Sequence, residues 1–271
     1  MSVREKLAGA ADANRSLLCV GLDPDPARIA GSDIAGYLCA VIDATKDLVC
    51  AYKPNLAFYE QLGREGYDTL QSVLAHIPED IVTIADAKRG DVPNTAAAYA
   101  RALFDDLGFD ATTANPYLGA DSLAPFLERE DKLTIIVCRT SNPGARDLQD
   151  LPVGESGRPL YEAVAELAKT WDTRGNAGLV VGATYPDELR RVRQICPEMP
   201  ILLPGIGPQE GDLGRSLDAG LDAQGAGLIV NASRAVLYAS SGADFADAAR
   251  REAEALRSAI EGYRLAARSR A

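Results

Sequence analysis

The stretch Ile81-Val-Thr-Ile-Ala-Asp-Ala-Lys-Arg-Gly-Asp91 leads from an apolar run into a group of charged residues. Residues 81–85 are typical of a buried β-strand, and alternate side chains of a strand point to the same face. Asp86 and Lys88 are therefore predicted to share one face at the carboxyl end of that strand. Charged side chains are rarely buried unless they are paired. This strand end is therefore a candidate catalytic site.

Seven further apolar runs alternate with segments of helical character. This alternation predicts βαβ repetition and a parallel sheet whose strands are buried on both faces. Eight such strands in 271 residues favour a single (β/α)8 TIM barrel, an α/β fold, with one domain over residues 1–271. The runner-up is an open doubly wound sheet, but the usual dinucleotide glycine fingerprint is missing after the first strand. The eight runs are 17–21, 48–52, 81–85, 111–114, 133–138, 177–181, 201–203 and 227–230.

Four segments between or after these runs are predicted as helices. The first ends at Gly108, a residue type that commonly follows the last turn of a helix. The last is alanine-rich, carries mixed charge and lies within a helical C-terminal region, residues 243–271. The four predicted helices are 94–107, 160–171, 188–195 and 243–267.

The composition limits the partners and the compartment. The formal net charge is −11 and the isoelectric point is near 4.7, which disfavours nucleic acid and anionic membranes as partners. No apolar stretch is long enough to cross a membrane, and the N-terminus lacks a secretory apolar region. A cytoplasmic location is therefore predicted.

The cysteines and the single histidine give no sign of a metal or nucleophile site. The five cysteines are scattered and show no Cys-x-x-Cys spacing, which argues against a disulfide framework and a zinc site. Cys19, Cys50 and Cys138 lie in apolar runs and are predicted to be buried thiols. His76 precedes Ile77-Pro78 and is interpreted as a helix-end or surface residue rather than a catalytic base.

Polar residues follow several predicted strands at the end where barrel enzymes place their active sites. Each residue alone would be unremarkable, but their shared location at strand ends indicates one site. They are Asp23 after the first strand, Lys53 after the second, Asp86 and Lys88 after the third, Ser141 and Asn142 after the fifth, Gly205 and Gln209 after the seventh, and Ser233 and Arg234 after the eighth.

The last two strand ends suggest a phosphate site. Leu203-Pro-Gly-Ile-Gly-Pro-Gln209 is a glycine-rich exit, and glycines let backbone N–H groups approach an anion closely. Barrels often bind phosphate with the loops after strands seven and eight, and Arg234 supplies a charge-assisted donor there. A lone Gly-x-Gly would favour a simple tight turn, but the matching arginine on the next strand favours phosphate binding.

Six motifs are spread along the chain from Gly21 to Arg234. They are Gly21-Leu-Asp-Pro24, Tyr52-Lys-Pro-Asn-Leu-Ala-Phe-Tyr-Glu60, Asp86-Ala-Lys-Arg-Gly-Asp-Val-Pro-Asn-Thr95, Thr140-Ser-Asn-Pro143, Pro204-Gly-Ile-Gly-Pro-Gln209 and Asn231-Ala-Ser-Arg234. Together they resemble orotidine 5′-phosphate decarboxylases, and particularly their longer-chain subfamily. The motifs follow the family's order, and the segment from Asp86 to Thr95 resembles the family signature.

The resemblance implies a barrel homodimer that converts orotidine 5′-phosphate to uridine 5′-phosphate (UMP) and CO₂ without a metal or organic cofactor. It implies a charged catalytic network of Lys53, Asp86, Lys88 and Asp91. Asp91 and Thr95 would reach into the neighbouring subunit's site. The implied substrate-binding residues are Asp23 for a ribose hydroxyl, Ser141 on a closing loop for the pyrimidine, Gln209 and Arg234 for the phosphate, and Val92, Thr95, Pro204, Ile206 and Ser233 around them. Position 92 is valine where the family commonly has isoleucine.

The implied chemistry fits these residue types. Loss of CO₂ leaves a carbanion in the plane of the pyrimidine ring, and a cationic acid held at that carbon stabilises the charge and then donates a proton. Lys88 suits this role because the nearby carboxylates of Asp86 and Asp91 favour its charged form.

Two other functions compete with this interpretation. A related barrel decarboxylase acts on a keto-sugar phosphate with a divalent metal, but here the motif offers no histidine and Lys88 would oppose a cation. A non-catalytic barrel that senses UMP is the other alternative, and the intact acid–lysine array argues against it.

Residues 141–146, with the continuation 147–159, are predicted as a closing loop.

Overall fold

The protein is described by a computed structural model over residues 1–29, 33–206 and 213–269. The strands are β1 Leu18–Gly21, β2 Ala51–Lys53, β3 Val82–Arg89, β4 Ala111–Ala114, β5 Leu133–Arg139, β6 Pro152–Val153, β7 Arg158–Pro159, β8 Ala177–Val181, β9 Ile201–Pro204 and β10 Leu228–Ala232. The helices are α1 Val3–Ala13, α2 Ile34–Thr45, α3 Leu56–Glu60, α4 Arg64–His76, α5 Pro93–Arg101, α6 Ala120–Leu127, α7 Leu160–Trp171, α8 Pro186–Ile195, α9 Leu213–Gly220, α10 Arg234–Leu237 and α11 Phe245–Arg268.

Eight of the strands form a closed parallel barrel in the order β1-β10-β9-β8-β5-β4-β3-β2. The ring closes because β1 pairs with β10 on one side and with β2 on the other. Every residue of β1, β4, β8 and β10 is buried, as expected for strands covered on both faces. The predicted (β/α)8 barrel is therefore confirmed, and each barrel strand overlaps one of the eight apolar runs.

The predicted helices are also present. Residues 94–107 form α5 followed by a π-helical turn, Ala102–Asp106, and Gly108 has a φ of 72° just beyond it. The α7 helix has the predicted bounds, α8 begins two residues earlier than predicted, and α11 covers most of the predicted C-terminal segment. The rings of Tyr37 in α2 and Phe245 in α11 stack with centroids 4.3 Å apart, which fixes the terminal helix to the barrel wall.

The segment predicted as a closing loop contains secondary structure of its own. A 3-10 helix spans Pro143–Asp147, and β6 and β7 form a two-stranded antiparallel hairpin in which Pro152 pairs with Pro159. The hairpin was not predicted, because two-residue strands are too short for a periodic pattern.

Helix α1 covers the amino ends of the barrel strands. Arg4 donates hydrogen bonds to the main-chain carbonyls of Gly175 and Glu198, which precede β8 and β9. The Nζ atom of Lys6 lies 2.7 Å from a carboxylate oxygen of Asp110, directly before β4. The opposite rim, at the carboxyl ends of the strands, is the rim that barrel enzymes use for chemistry. No helix of the described residues is both long and apolar enough to span a membrane.

Candidate active site

Asp86 is the centre of a charged network at the carboxyl end of β3. One of its oxygens lies 3.0 Å from Nζ of Lys53, and the other lies 2.6 Å from Nζ of Lys88. The hydroxyl of Thr113 donates a third hydrogen bond to Asp86, at 3.0 Å. The side chains of Asp86 and Lys53 are only 12% and 3% exposed. Burial of both charges is possible because each is paired with the other.

The network keeps Asp86 and Lys53 ionised. Burial alone would raise the pKa of Asp86, but the charges of Lys53 and Lys88 outweigh that effect and hold this pKa well below its usual range. Burial alone would lower the pKa of Lys53, but Asp23 and Asp86 outweigh it and raise the pKa above its usual range. An ion array that is already formed needs little rearrangement during a reaction.

An irregular stretch at the end of β3 brings Asp86 and Lys88 together. In the pairing of β3 with β4, Ala85 faces Thr112 and Arg89 faces Ala114, so the register shifts between these pairs. Lys88 has a φ of 47°, a left-handed conformation that is uncommon for a residue other than glycine. The two side chains meet as predicted, but regular strand alternation does not extend through Lys88. A bulge, rather than the pleat, orients its side chain.

A cavity of about 980 Å³ opens beside this network. Lys53 and Asp86 contribute to its wall, together with residues from the ends of β1, β9 and β10 and the segment after β5. Its lining residues are Asp23, Asp25, Arg28, Lys53, Phe58, Asp86, Ser141, Pro204, Gly205, Ile206, Asn231, Ser233, Arg234, Ala235 and Tyr238. The cavity thus combines a paired lysine–carboxylate group with two arginines, an arrangement suited to an anionic substrate.

Similarity to known proteins identifies the family of this chain. The sequence model of the orotidine 5′-phosphate decarboxylase / HUMPS family matches residues 16–250. The chain belongs to this family. It is similar to the orotidine 5′-phosphate decarboxylase of Thermomicrobium roseum, at 53% identity over 97% of this chain and 96% of that protein. The corresponding protein of Ralstonia nicotianae is 50% identical over 97% of this chain and 100% of its own length.

Solved structures agree with this assignment. The Leishmania donovani OMP decarboxylase superposes with a TM-score of 0.87 at 44% identity, covering 98% of this chain and 99% of that one. The Leishmania donovani UMP synthase gives a TM-score of 0.89 at 45% identity, covering 97% of this chain and 57% of that longer one. The chain is accordingly a carboxy-lyase of the decarboxylase family.

Two glycines allow two of the predicted site residues to approach the cavity. A Cβ atom on Gly182, just after β8, would lie 2.9 Å from the Cβ of Ser141. A Cβ atom on Gly21 would lie 1.9 Å from Oγ of Ser233. Atoms cannot approach this closely without displacement, so both positions require glycine for the present packing. Ser141 and Ser233 are thereby held at the wall of the cavity.

The predicted phosphate end of the decarboxylase site is partly described. Pro204, Ile206 and Arg234 line the cavity, and Gly205 between the first two has a φ of 96°. This conformation favours glycine at position 205 and turns the chain at the end of β9. Gln209, the other predicted phosphate residue, lies outside the described residues.

Several residues of this cavity wall were not among the predicted site residues. The hydroxyl of Tyr238 donates to the main-chain carbonyl of Asp23 at 2.9 Å and accepts from the N–H of Asp25 at 2.7 Å. The Arg28 guanidinium lies 4.0 Å above the Tyr238 ring. Tyr238 thus fixes the segment after β1 against the end of α10. The only feature of the sequence that points to Tyr238 is its position four residues after Arg234.

Five of the predicted site residues do not line the cavity formed by the described residues: Lys88, Asp91, Val92, Thr95 and Asn142. Lys88 nevertheless contacts Asp86, which does line it. Asp91 accepts a hydrogen bond from the N–H of Val92, a residue that is 51% exposed. Thr95 lies in the first turns of α5 and is half-buried.

The histidine and three of the cysteines lie where they were predicted. His76 is the last residue of α4 and pairs with Asp43 at the surface. Cys19, Cys50 and Cys138 are buried, as predicted. Burial raises the pKa of Cys19 well above its usual value, so this thiol stays neutral beneath the site. Within the described parts of the chain, no group of three His, Cys, Asp or Glu side chains is arranged to hold a metal ion.

Proposed function

We propose that this chain decarboxylates orotidine 5′-phosphate to UMP and CO₂, the last step of de novo UMP synthesis, with Lys88 as the proton donor. The observation that carries the proposal is the Lys53–Asp86–Lys88 network beside a cavity that is also lined by Arg234. Relatives that are about 50% identical over nearly the whole chain are named orotidine 5′-phosphate decarboxylase, and this supports the same reaction.

The proposed step breaks the bond between C6 of the pyrimidine and the carboxylate carbon. The electron pair of that bond stays on C6, and CO₂ leaves. The Nζ ammonium of Lys88 faces the developing charge, stabilises it and then transfers a proton to C6. Asp86 holds this ammonium through a 2.6 Å contact, and Lys53 forms a salt bridge with the second oxygen of the same carboxylate. The charges are in place before the substrate binds, which lowers the cost of reorganisation.

We propose that the rest of the cavity fixes the substrate at a distance from the reacting carbon. Arg234 and Ser233 bind the phosphate together with Gln209, while Asp23 binds a ribose hydroxyl and Ser141 contacts the pyrimidine. Pro204 and Ile206 supply apolar walls. Binding energy from the phosphate then supports catalysis by orienting the ring and closing the segment after β5.

We propose that Asp91, Val92 and Thr95 act in the active site of a second subunit. All three follow the network within one loop and the start of α5, and none lines the cavity formed by the described residues of its own chain. The exposed Val92 side chain fits an apolar contact with a neighbouring molecule. In this arrangement Asp91 completes the charged array next to the partner's lysine, and the enzyme is a homodimer of single-domain barrels.

The proposal is tested by following the ultraviolet absorbance of orotidine 5′-phosphate with and without EDTA. We expect complete conversion to UMP at a rate that EDTA does not change. Loss of activity with EDTA, or turnover of a keto-sugar phosphate instead, would favour the metal-dependent alternative. Tight UMP binding without any turnover would favour a nucleotide sensor.

A further inference from the structure

Thr113, in the middle of the short strand β4, lies opposite the irregular part of β3. The pairs Ala85–Thr112 and Arg89–Ala114 flank it, so three residues of β3, 86–88, face this single residue. Thr113 is 1% exposed, and it belongs to neither the charged network nor the cavity lining. Its side chain nevertheless forms hydrogen bonds with both ends of the bulge, at Asp86 and Lys88.

The two hydrogen bonds of the Thr113 hydroxyl have opposite directions. The hydroxyl donates to a carboxylate oxygen of Asp86 at 3.0 Å, and it accepts from the backbone N–H of Lys88 at 2.9 Å. An ionised carboxylate only accepts and an N–H group only donates, so the single hydroxyl proton must point to Asp86. One hydroxyl therefore fixes the carboxylate of the network and the backbone of its lysine at the same time.

The backbone of Lys88 depends on such a partner. At a bulge the regular ladder is interrupted, and an N–H group there needs a hydrogen-bond acceptor other than the neighbouring strand's carbonyl. Lys88 also has a φ of 47°, a conformation that persists only where the surroundings hold it. The Thr113 oxygen supplies the acceptor, from a strand whose pairing with β5 is regular over all four residues.

We propose that Thr113 is a positioning residue for decarboxylation: its hydroxyl fixes the Lys88 backbone and the Asp86 carboxylate so that the Lys88 ammonium points at the reacting carbon. This inference rests on the proposed roles of Lys88 and Asp86. Thr113 touches neither substrate nor reacting atoms in this scheme. We expect its effect mainly on the transition state, because the proposed phosphate, ribose and pyrimidine contacts are made by other residues of the cavity.

The neighbouring Thr112 provides a matched control. It lies in the same strand and is completely buried, but its hydroxyl bonds to the main-chain carbonyl of Ala85 at 3.2 Å and to no charged group. Substituting valine for either threonine removes one buried hydroxyl and keeps the branched shape. A general loss of packing or stability would affect both variants, whereas loss of positioning would affect Thr113→Val alone.

The experiment compares Thr113→Val, Thr113→Ser and Thr112→Val by kcat, KM and the Kd of UMP. A displacement of about 1 Å in a catalytic group can cost about a hundredfold in rate, so we expect Thr113→Val to lower kcat by about tenfold to a hundredfold. We expect KM and the Kd of UMP to stay within about threefold. The residues proposed to bind the phosphate, ribose and pyrimidine are unchanged, and a much larger change in Kd would require the loss of a binding contact. Thr113→Ser keeps the hydroxyl and should recover most of kcat, and Thr112→Val should retain the wild-type kcat.

Equal kcat values for Thr113→Val and Thr112→Val would overturn the inference, as would a loss in Thr113→Val that appears only in KM and UMP binding. If Thr113→Val does not fold, Thr113→Ala and Thr112→Ala carry the same comparison. An inactive wild-type enzyme would instead refute the proposed function. An active wild type with an unaffected Thr113→Val variant would refute only the positioning role.

Discussion

At the scale of single residues, Asp86 determines the charge state of the site. It bridges two lysines, one of them almost completely buried, and its pKa is held well below the usual range mainly because their charges outweigh burial. A buried ammonium that loses its carboxylate partner is strongly destabilising. Asp86 therefore contributes to folding as well as to the proposed chemistry.

We expect Asp86→Asn to lower the free energy of unfolding by about 3 kcal/mol at pH 7, because it leaves Lys53 buried without its closest counter-charge. Asp43 is the control, since it also contacts a lysine but is 53% exposed. Asp43→Asn should cost less than about 1 kcal/mol. Urea unfolding measures both values, and equal effects of the two substitutions would contradict this account.

The same residue gives a signed pH dependence. An aspartate whose pKa is lowered on folding stabilises the native state above its unfolded pKa of about 3.9, and that stabilisation is lost as the pH falls further toward the folded pKa. The difference in unfolding free energy between the wild type and Asp86→Asn should therefore be full at pH 6 and shrink below about pH 4. A difference that grows on acidification would contradict the lowered pKa.

At the scale of elements, strand ends and the segments that follow them position the site. Thr140 and Gln149 are joined across residues 141–148 after β5: the Gln149 amide oxygen accepts from the Thr140 N–H at 2.8 Å, and its nitrogen donates to the Thr140 hydroxyl at 2.9 Å. Ser141 follows directly and packs on Gly182. The segment that is predicted to close over the site thus has a fixed base.

We expect Gly182→Ala to raise KM and lower kcat, because the new methyl group would lie within 3.0 Å of the backbone and side chain of Ser141. Gly9 in α1 is the control, since a Cβ atom there would have no neighbouring atom within 4 Å and alanine is favoured in a helix. Gly9→Ala should leave the kinetics unchanged and add up to about 1 kcal/mol of stability. Wild-type kinetics of Gly182→Ala would show that Ser141 need not lie where the structure places it.

The same elements show what the sequence could predict. All eight barrel strands were recognisable, because buried parallel strands have nearly continuous apolar sequences. The bulge at Lys88 was not, since Asp86-Ala-Lys88 is compatible with a regular strand. Residues 111–114, Ala-Thr-Thr-Ala, are the least apolar of the eight predicted strands. The two threonines instead use their hydroxyls to bind β3, a tertiary role that local pattern does not show.

At the scale of the whole molecule, the two rims of the barrel carry different features. Helix α1 packs against the amino ends of the strands, while the cavity and the network lie at the carboxyl ends. The predicted location of the site followed from this general property of barrels. Tyr238 and Arg28 were missed, because their contacts with each other and with the backbone of the first strand's exit depend on the closed ring.

A mixing experiment tests whether subunits share their active sites. If Lys88 and Asp91 of different chains form each site, a heterodimer of Lys88→Ala and Asp91→Ala has one intact site. Random exchange of the two inactive variants then restores roughly a quarter of the wild-type activity. Half of the dimers are mixed, and each mixed dimer has one intact site out of two. Preparations of the two variants that stay inactive after exchange, despite verified mixed dimers, would contradict site sharing.

The most direct test of the central claim is the decarboxylation rate of Lys88→Ala, measured with saturating orotidine 5′-phosphate alongside the Kd of UMP. Removing a general acid at the reacting carbon should lower kcat by about a hundredfold or more. UMP binding should persist, because the cavity residues that bind the nucleotide are unchanged. A kcat near that of the wild type, with the substitution confirmed, would contradict the role of Lys88 as the proton donor.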